Sequence, residues 1–114
     1  MSSIKLIDTE EEFNYILKHA ENKLVVIDYY ADWCKTCSEI EKVIYKLSQE
    51  MNNVVFGKID VGRSDLGVDH GISNLPTLIF YKNGIKISEE TGAKDLEKRL
   101  LNTINQYSSN FSIV

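Results

Sequence analysis

Residues 24–30 read Leu-Val-Val-Ile-Asp-Tyr-Tyr, a run with apolar side chains on both alternating faces and one interruption, Asp28. A strand with one wet face alternates apolar and polar residues, whereas a strand apolar throughout belongs in the middle of a sheet covered on both sides. Helical spacing flanks this run. Phe13, Ile16, Leu17 and Ala20 recur before it, and Cys37, Ile40, Val43, Ile44 and Leu47 after it. The chain is thereby held to an α/β architecture with this strand at its centre.

Local signals place the other elements. Residues 4–7 are a short strand, and Asp8 or Thr9 caps the next helix, with Glu11 and Glu12 at its positive end. A helix runs from Cys34 to about Met51, and residues 54–60 are a third strand. Residues 61–69 are a polar loop with one short helix around 64–70. Residues 77–82 form a fourth strand, Asn83-Gly84 is a two-residue hairpin signal, and residues 85–90 return antiparallel. Gly92 ends that strand, and a last helix runs from Ala93 to about Tyr107 with Leu96, Leu100, Leu101 and Ile104 inward. This order predicts one domain, residues 1–114, built on a mixed five-stranded sheet with helices on both faces. The tail, residues 108–114, is polar with scattered apolar residues and is assigned no element.

With 43% apolar and 26% charged residues, the composition is that of a folded rather than a disordered chain. A length of 114 residues can bury a core without disulfide staples. The net charge of −4 leaves no electrostatic footprint for nucleic acid. No run approaches the roughly 18 apolar residues of a membrane span. The opening residues turn acidic too soon for a signal peptide, so a cytoplasmic location is expected. A monomer is expected as well, because a sheet covered on both faces leaves no large apolar repeat to advertise an interface.

The two cysteines stand two residues apart in Trp33-Cys34-Lys35-Thr36-Cys37, at the strand-to-helix junction. A disulfide across so short a loop stabilises little through chain entropy, so stapling does not account for the pair. Unpaired N–H groups and the helix dipole favour an anion at the first turn, and a thiolate is such an anion. Cys34 is therefore expected to be the nucleophile, with Lys35 favouring its thiolate further. Cys37, one helical turn on and less exposed, is expected to resolve the mixed disulfide that Cys34 forms with a substrate. Trp33 would supply an apolar platform beside the outer sulfur. A zinc site is the competing reading, but there is no second cysteine pair, and His19 and His70 lack ligand spacing. Two cysteines buried merely as small hydrophobes is the other. Asp60 fits a capping or solvated role at its strand end, Tyr29 and Tyr30 fit packing, and His70 is placed at the border of the substrate face.

Four signals together carry a family resemblance: the block from Val26 to Cys37, Leu75-Pro76-Thr77, Lys82-Asn83-Gly84, and Gly92 before the last helix. On these the chain resembles the thioredoxins from about residue 4 to residue 101. The resemblance implies the thioredoxin fold and a protein thiol–disulfide oxidoreductase that reduces client disulfides. It implies that Pro76 is cis and that Trp33, Leu75, Pro76, Thr77 and Gly92 bind substrate, with the Leu75 backbone beside Cys34. Independently, Pro76 is the single proline and stands at a strand start. Asp28, a carboxylate in an apolar strand, is costly without a task, and burial moves its pKa toward neutrality. The resemblance assigns it proton exchange with Cys37 and assigns Lys58 as its charge partner. No bound cofactor is implied; electrons would come from NADPH through a thioredoxin reductase.

Two departures from the family pattern qualify these expectations. Lys35-Thr36 stands where thioredoxins usually carry Gly-Pro, and Lys42 stands where the following helix usually has a kinking proline. Lys35 favours the thiolate and hence the reduced form, which makes the disulfide a stronger oxidant, and the Thr36 hydroxyl is placed to donate to a cysteine sulfur. General reference potentials are about −270 mV for thioredoxin and about −180 mV for protein disulfide isomerase, and a value between them is expected. A specialised relative with a narrow client range, and a redox-inert scaffold that keeps only the fold, remain alternatives to a general reductase.

Overall fold

The apolar run becomes the central strand. The computed structural model describes residues 4–108. Its elements are β1 (Ile4–Leu6), α1 (Glu10–His19), β2 (Leu24–Tyr30), α2 (Lys35–Glu50), β3 (Val54–Asp60), α3 (Leu66–Asp69), β4 (Thr77–Lys82), β5 (Ile85–Thr91) and α4 (Leu96–Tyr107). The five strands form one sheet in the order β1-β3-β2-β4-β5. β3 runs parallel to both β1 and β2, whereas β4 is antiparallel to β2 and to β5. The sheet is therefore mixed, as the element order predicts.

Alternation along β2 divides the molecule into two apolar layers. Leu24 and Val26 enter one layer with Phe56, Leu78 and Phe80, covered by Ile40, Ile44 and Leu47 of α2 and Leu100 and Ile104 of α4. Val25, Ile27 and Tyr29 enter the other with Phe13 of α1, Leu66 of α3, Ile59 and Ile79. Asp28, two positions beyond Val26, therefore belongs to the face that α2 covers. Gly57 of β3 shows how tightly the second layer closes. A Cβ there would stand 2.8 Å from Ile7 Cδ1 and 3.0 Å from Ile27 Cδ1.

Local chemistry explains the boundaries. Thr9, rather than Asp8, caps α1: Thr9 Oγ1 accepts from the Glu12 N–H, while Glu12 Oε1 accepts from the Thr9 N–H, both at 3.1 Å. The β4–β5 hairpin turns through Asn83 and Gly84, with φ of 55° and 78°, as such a two-residue turn requires. The last helix starts at Leu96, three residues later than the sequence predicts. The cause lies in the preceding loop, where Gly92 and Asp95 both have positive φ. Arg99 reaches back and donates to the carbonyl oxygens of Thr91, Gly92 and Lys94, holding that loop outside the helix. β5 extends one residue further than predicted, to Thr91, and α3 occupies only the middle of its predicted span. α2 runs unbroken through Lys42. Of the tail, residues 109–114 lie outside the described residues. Among the described residues no helix is long and apolar enough to cross a membrane.

Candidate active site

β2 delivers the chain through Ala31 to Cys34, which is the N-cap of α2 rather than its first turn. That placement aims Sγ at the unpaired amides: Cys34 Sγ accepts from the Cys37 N–H at 3.2 Å. This is the arrangement that stabilises negative charge on the outer sulfur when it is a thiolate. Cys34 and Cys37 are joined by a disulfide, with Cα atoms 5.3 Å apart. The structure is thus the oxidised form.

Both cysteines are buried, Cys37 the more deeply. Cys37 is 2% exposed and Cys34 8%, while Trp33 beside them is 78% exposed. Trp33 is therefore a rim residue and not core filler. Ala31 and the cysteines form a small apolar cluster, packed against Tyr30, Val61 and Leu75. The contact with Leu75 brings the next loop to the disulfide. The Leu75–Pro76 bond is cis. Pro76 O accepts from the Gly92 N–H at 3.3 Å and from Thr91 Oγ1 at 3.4 Å. Thr77 Oγ1 donates to Asn74 O and lies 3.1 Å from Thr91 Oγ1. Leu75, Pro76 and Gly92, distant in sequence from the cysteines, are thus tied into one hydrogen-bonded group with Thr77, which is buried rather than on the surface, and the group reaches the disulfide through Leu75.

Between the cysteines, the Lys35 side chain is exposed and Thr36 half-buried. Thr36 Oγ1 lies 3.6 Å from Cys34 Sγ, a weak contact of the kind sulfur makes. On the sheet face that α2 covers, Asp28 is 1% exposed, and its Oδ1 has no hydrogen-bond partner from the protein. Its pKa is pushed up to about 7, first by burial and then by the negative charge of Glu41, with Lys58 pulling the other way. A carboxyl poised there can both take and give a proton near neutrality.

Lys58 is positioned as the resemblance implies but partnered otherwise. It stands directly opposite Asp28 in the β2–β3 register. Its ammonium, however, bonds Glu41 Oε2 of α2 at 2.8 Å and lies 5.5 Å from the centroid of the Tyr30 ring. The bond to Glu41 is the leading cause that raises the Lys58 pKa. Lys58 still acts on Asp28 through its charge, but its contact ion pair is with Glu41, a residue the sequence reading passes over. Its signal was available: Glu41 follows Cys37 by four residues, one turn along the same helix face.

His70 departs from expectation more plainly. It does not serve the disulfide; Nδ1 lies 2.6 Å from Tyr29 Oη and Nε2 2.9 Å from Glu10 Oε1. Its ring packs on Phe13, 4.5 Å between centroids, in the layer opposite Asp28. Asp60 Oδ1 accepts from the Gly62 N–H and caps the turn after β3. Among the described residues no cluster of His, Cys, Asp and Glu is placed to hold a metal ion.

Known proteins share this fold. The thioredoxin family model matches residues 4–106. The thioredoxin of Oryctolagus cuniculus is 36% identical over 104 residues, which cover 90% of this chain and 97% of that protein. Among solved structures, Fasciola hepatica thioredoxin superposes with a TM-score of 0.86 at 26% identity, covering 91% of this chain and 99% of that one. The thioredoxin of Malassezia sympodialis gives 0.83 at 33% identity, covering 96% and 94%. With the family model spanning nearly the whole sheet and a redox-active cysteine pair at the start of α2, the chain belongs to the thioredoxin family and is a thiol–disulfide oxidoreductase.

Proposed function

We propose that this oxidoreductase reduces disulfides in client proteins, with Cys34 attacking and Cys37 resolving. The observation that carries the reading is the placement of the two sulfurs: the outer one caps α2 beside an exposed Trp33, and the inner one belongs to the more deeply buried cysteine. In the reduced form the Cys34 thiolate attacks one client sulfur, and the other leaves as a thiolate that takes a proton from water. Cys37 then gives its proton to the Asp28 carboxylate and attacks Cys34 Sγ. The mixed disulfide breaks, the second client thiol is released, and two electrons have passed to the client. Trp33, Leu75, Pro76, Thr77 and Gly92 hold the client backbone. NADPH, through a thioredoxin reductase, returns the pair to the dithiol, in the cytoplasm and with the protein acting as a monomer.

A Cys37→Ser variant tests this reading directly. It accumulates client proteins as mixed disulfides on Cys34 that dithiothreitol releases, and the double variant Cys34→Ser, Cys37→Ser captures none. Equal capture by both variants sinks the reading. Thr36 Oγ1 beside Cys34 Sγ, together with Lys35, supports a second and narrower reading. In it the potential lies between the reference values of about −270 and about −180 mV and the client range is restricted. Equilibration against glutathione buffers at pH 7 measures it, and a value at the lower figure removes the case for retuning.

A further inference from the structure

Glu41 occupies the mouth between α2 and β3, with its side chain 40% exposed and that of Lys58, its partner, 27% exposed. Behind this ion pair lies Asp28, whose register neighbours are Lys58 on β3 and Leu78 on β4. Two carboxyl groups thus face a single cation, and the cation sits with the outer one. The inner carboxyl keeps a buried oxygen without a hydrogen-bond partner from the protein. An ammonium released from Glu41 has one other carboxyl within its own strand register, that of Asp28.

We infer that Glu41 is a positioning residue of the active site: it holds the Lys58 ammonium at the helix face and so keeps that cation from neutralising Asp28. The inference rests on the proposed role of Asp28 as the proton acceptor for Cys37. Charge supports the geometry. The charged groups that act on Asp28 are Glu41 from α2, which raises its pKa, and Lys58 from β3, which lowers it. Tyr30, under the Lys58 ammonium, is a further titratable side chain at the mouth, and Asp60 and Asp32 act on it in turn. Removing Glu41 deletes a repulsion and frees an attraction, and both push Asp28 in the same direction, toward ionisation at lower pH.

The test is an NMR titration of the oxidised protein labelled with ¹³C at aspartate carboxyls, with the Asp28 signal assigned from Asp28→Asn. In Glu41→Gln the Asp28 midpoint falls by about one unit. Glu41→Asp, which keeps the charge, restores most of the loss, and Lys58→Met moves the midpoint upward instead. The acid limb of mixed-disulfide resolution follows the midpoint in each variant. An unchanged Asp28 midpoint in a folded Glu41→Gln protein overturns the inference. The Asp28 reading is judged separately. If Asp28→Asn resolves mixed disulfides with the wild-type pH profile, the proton-acceptor role fails, while the midpoint measured in Glu41→Gln still decides whether Glu41 governs the charge of Asp28.

Discussion

Asp28 and Tyr29 are consecutive residues of β2, and their side chains enter the two opposite layers of the molecule. Both are almost wholly buried and both bring a polar group into an apolar setting. The Tyr29 hydroxyl is met by His70, which is met in turn by Glu10 at the surface. The Asp28 carboxyl is left with one oxygen unsatisfied by the protein. Buried polar groups in folded proteins are nearly always paired, so the exception is the informative one. On the α1 side the strand has solved a packing problem. On the α2 side it leaves a buried carboxyl oxygen without a partner from the protein, a cost that the proton-exchange role proposed for Asp28 would account for.

The widest separation between the two sides comes from titrating stability in the wild type and in Asp28→Asn. A carboxyl whose pKa is raised from 3.8 to about 7 by folding destabilises the native state progressively as pH climbs between those values. The cost is absent below pH 4 and complete above about pH 7, where it reaches on the order of 4 kcal/mol. Asparagine imitates the protonated acid at every pH, so the variant escapes the loss. Denaturant unfolding at pH 4 and pH 8 measures the difference, and the same variant resolves mixed disulfides more slowly. Parallel stability curves for the two proteins would erase the contrast between the layers.

Tyr29→Phe probes the paired side. It leaves His70 Nδ1 without its partner and costs about 1 to 3 kcal/mol in unfolding free energy. Exchange kinetics stay at the wild-type value; a slowed rate would mean that the two layers are not functionally distinct. Smallest is Glu10→Gln, which keeps an acceptor for His70 on an exposed side chain. Its effect is below about 1 kcal/mol and shrinks further with added salt.

What was legible in the sequence follows the range of the interactions. The centrality of β2 is written in seven consecutive residues, the hairpin in Asn83-Gly84, and the redox pair in five residues at a junction. Each rests on chemistry between near neighbours. The Tyr29–His70 and His70–Glu10 bonds join residues 41 and 60 positions apart, and no spacing rule connects them. The Lys58–Glu41 pair spans 17 positions from strand to helix, so the resemblance points Lys58 to Asp28, its register neighbour, while the side-chain tip bonds Glu41. The start of α4 differs from expectation for a more local reason. Residues 93–95 carry helical composition, but the guanidinium of Arg99 outcompetes the helix for the carbonyls before it.

That guanidinium has a further consequence. By gripping the carbonyls of Thr91, Gly92 and Lys94 while the Gly92 amide is bonded to Pro76, it leaves the backbone on the client side little freedom to lose on association. On the proposed function, a partner arriving as an extended segment meets backbone already held in place. On that reading the ordering entropy of the complex then falls mainly on the partner, and a flexible or locally unfolded client would be gripped, reduced and released without this protein having to rearrange.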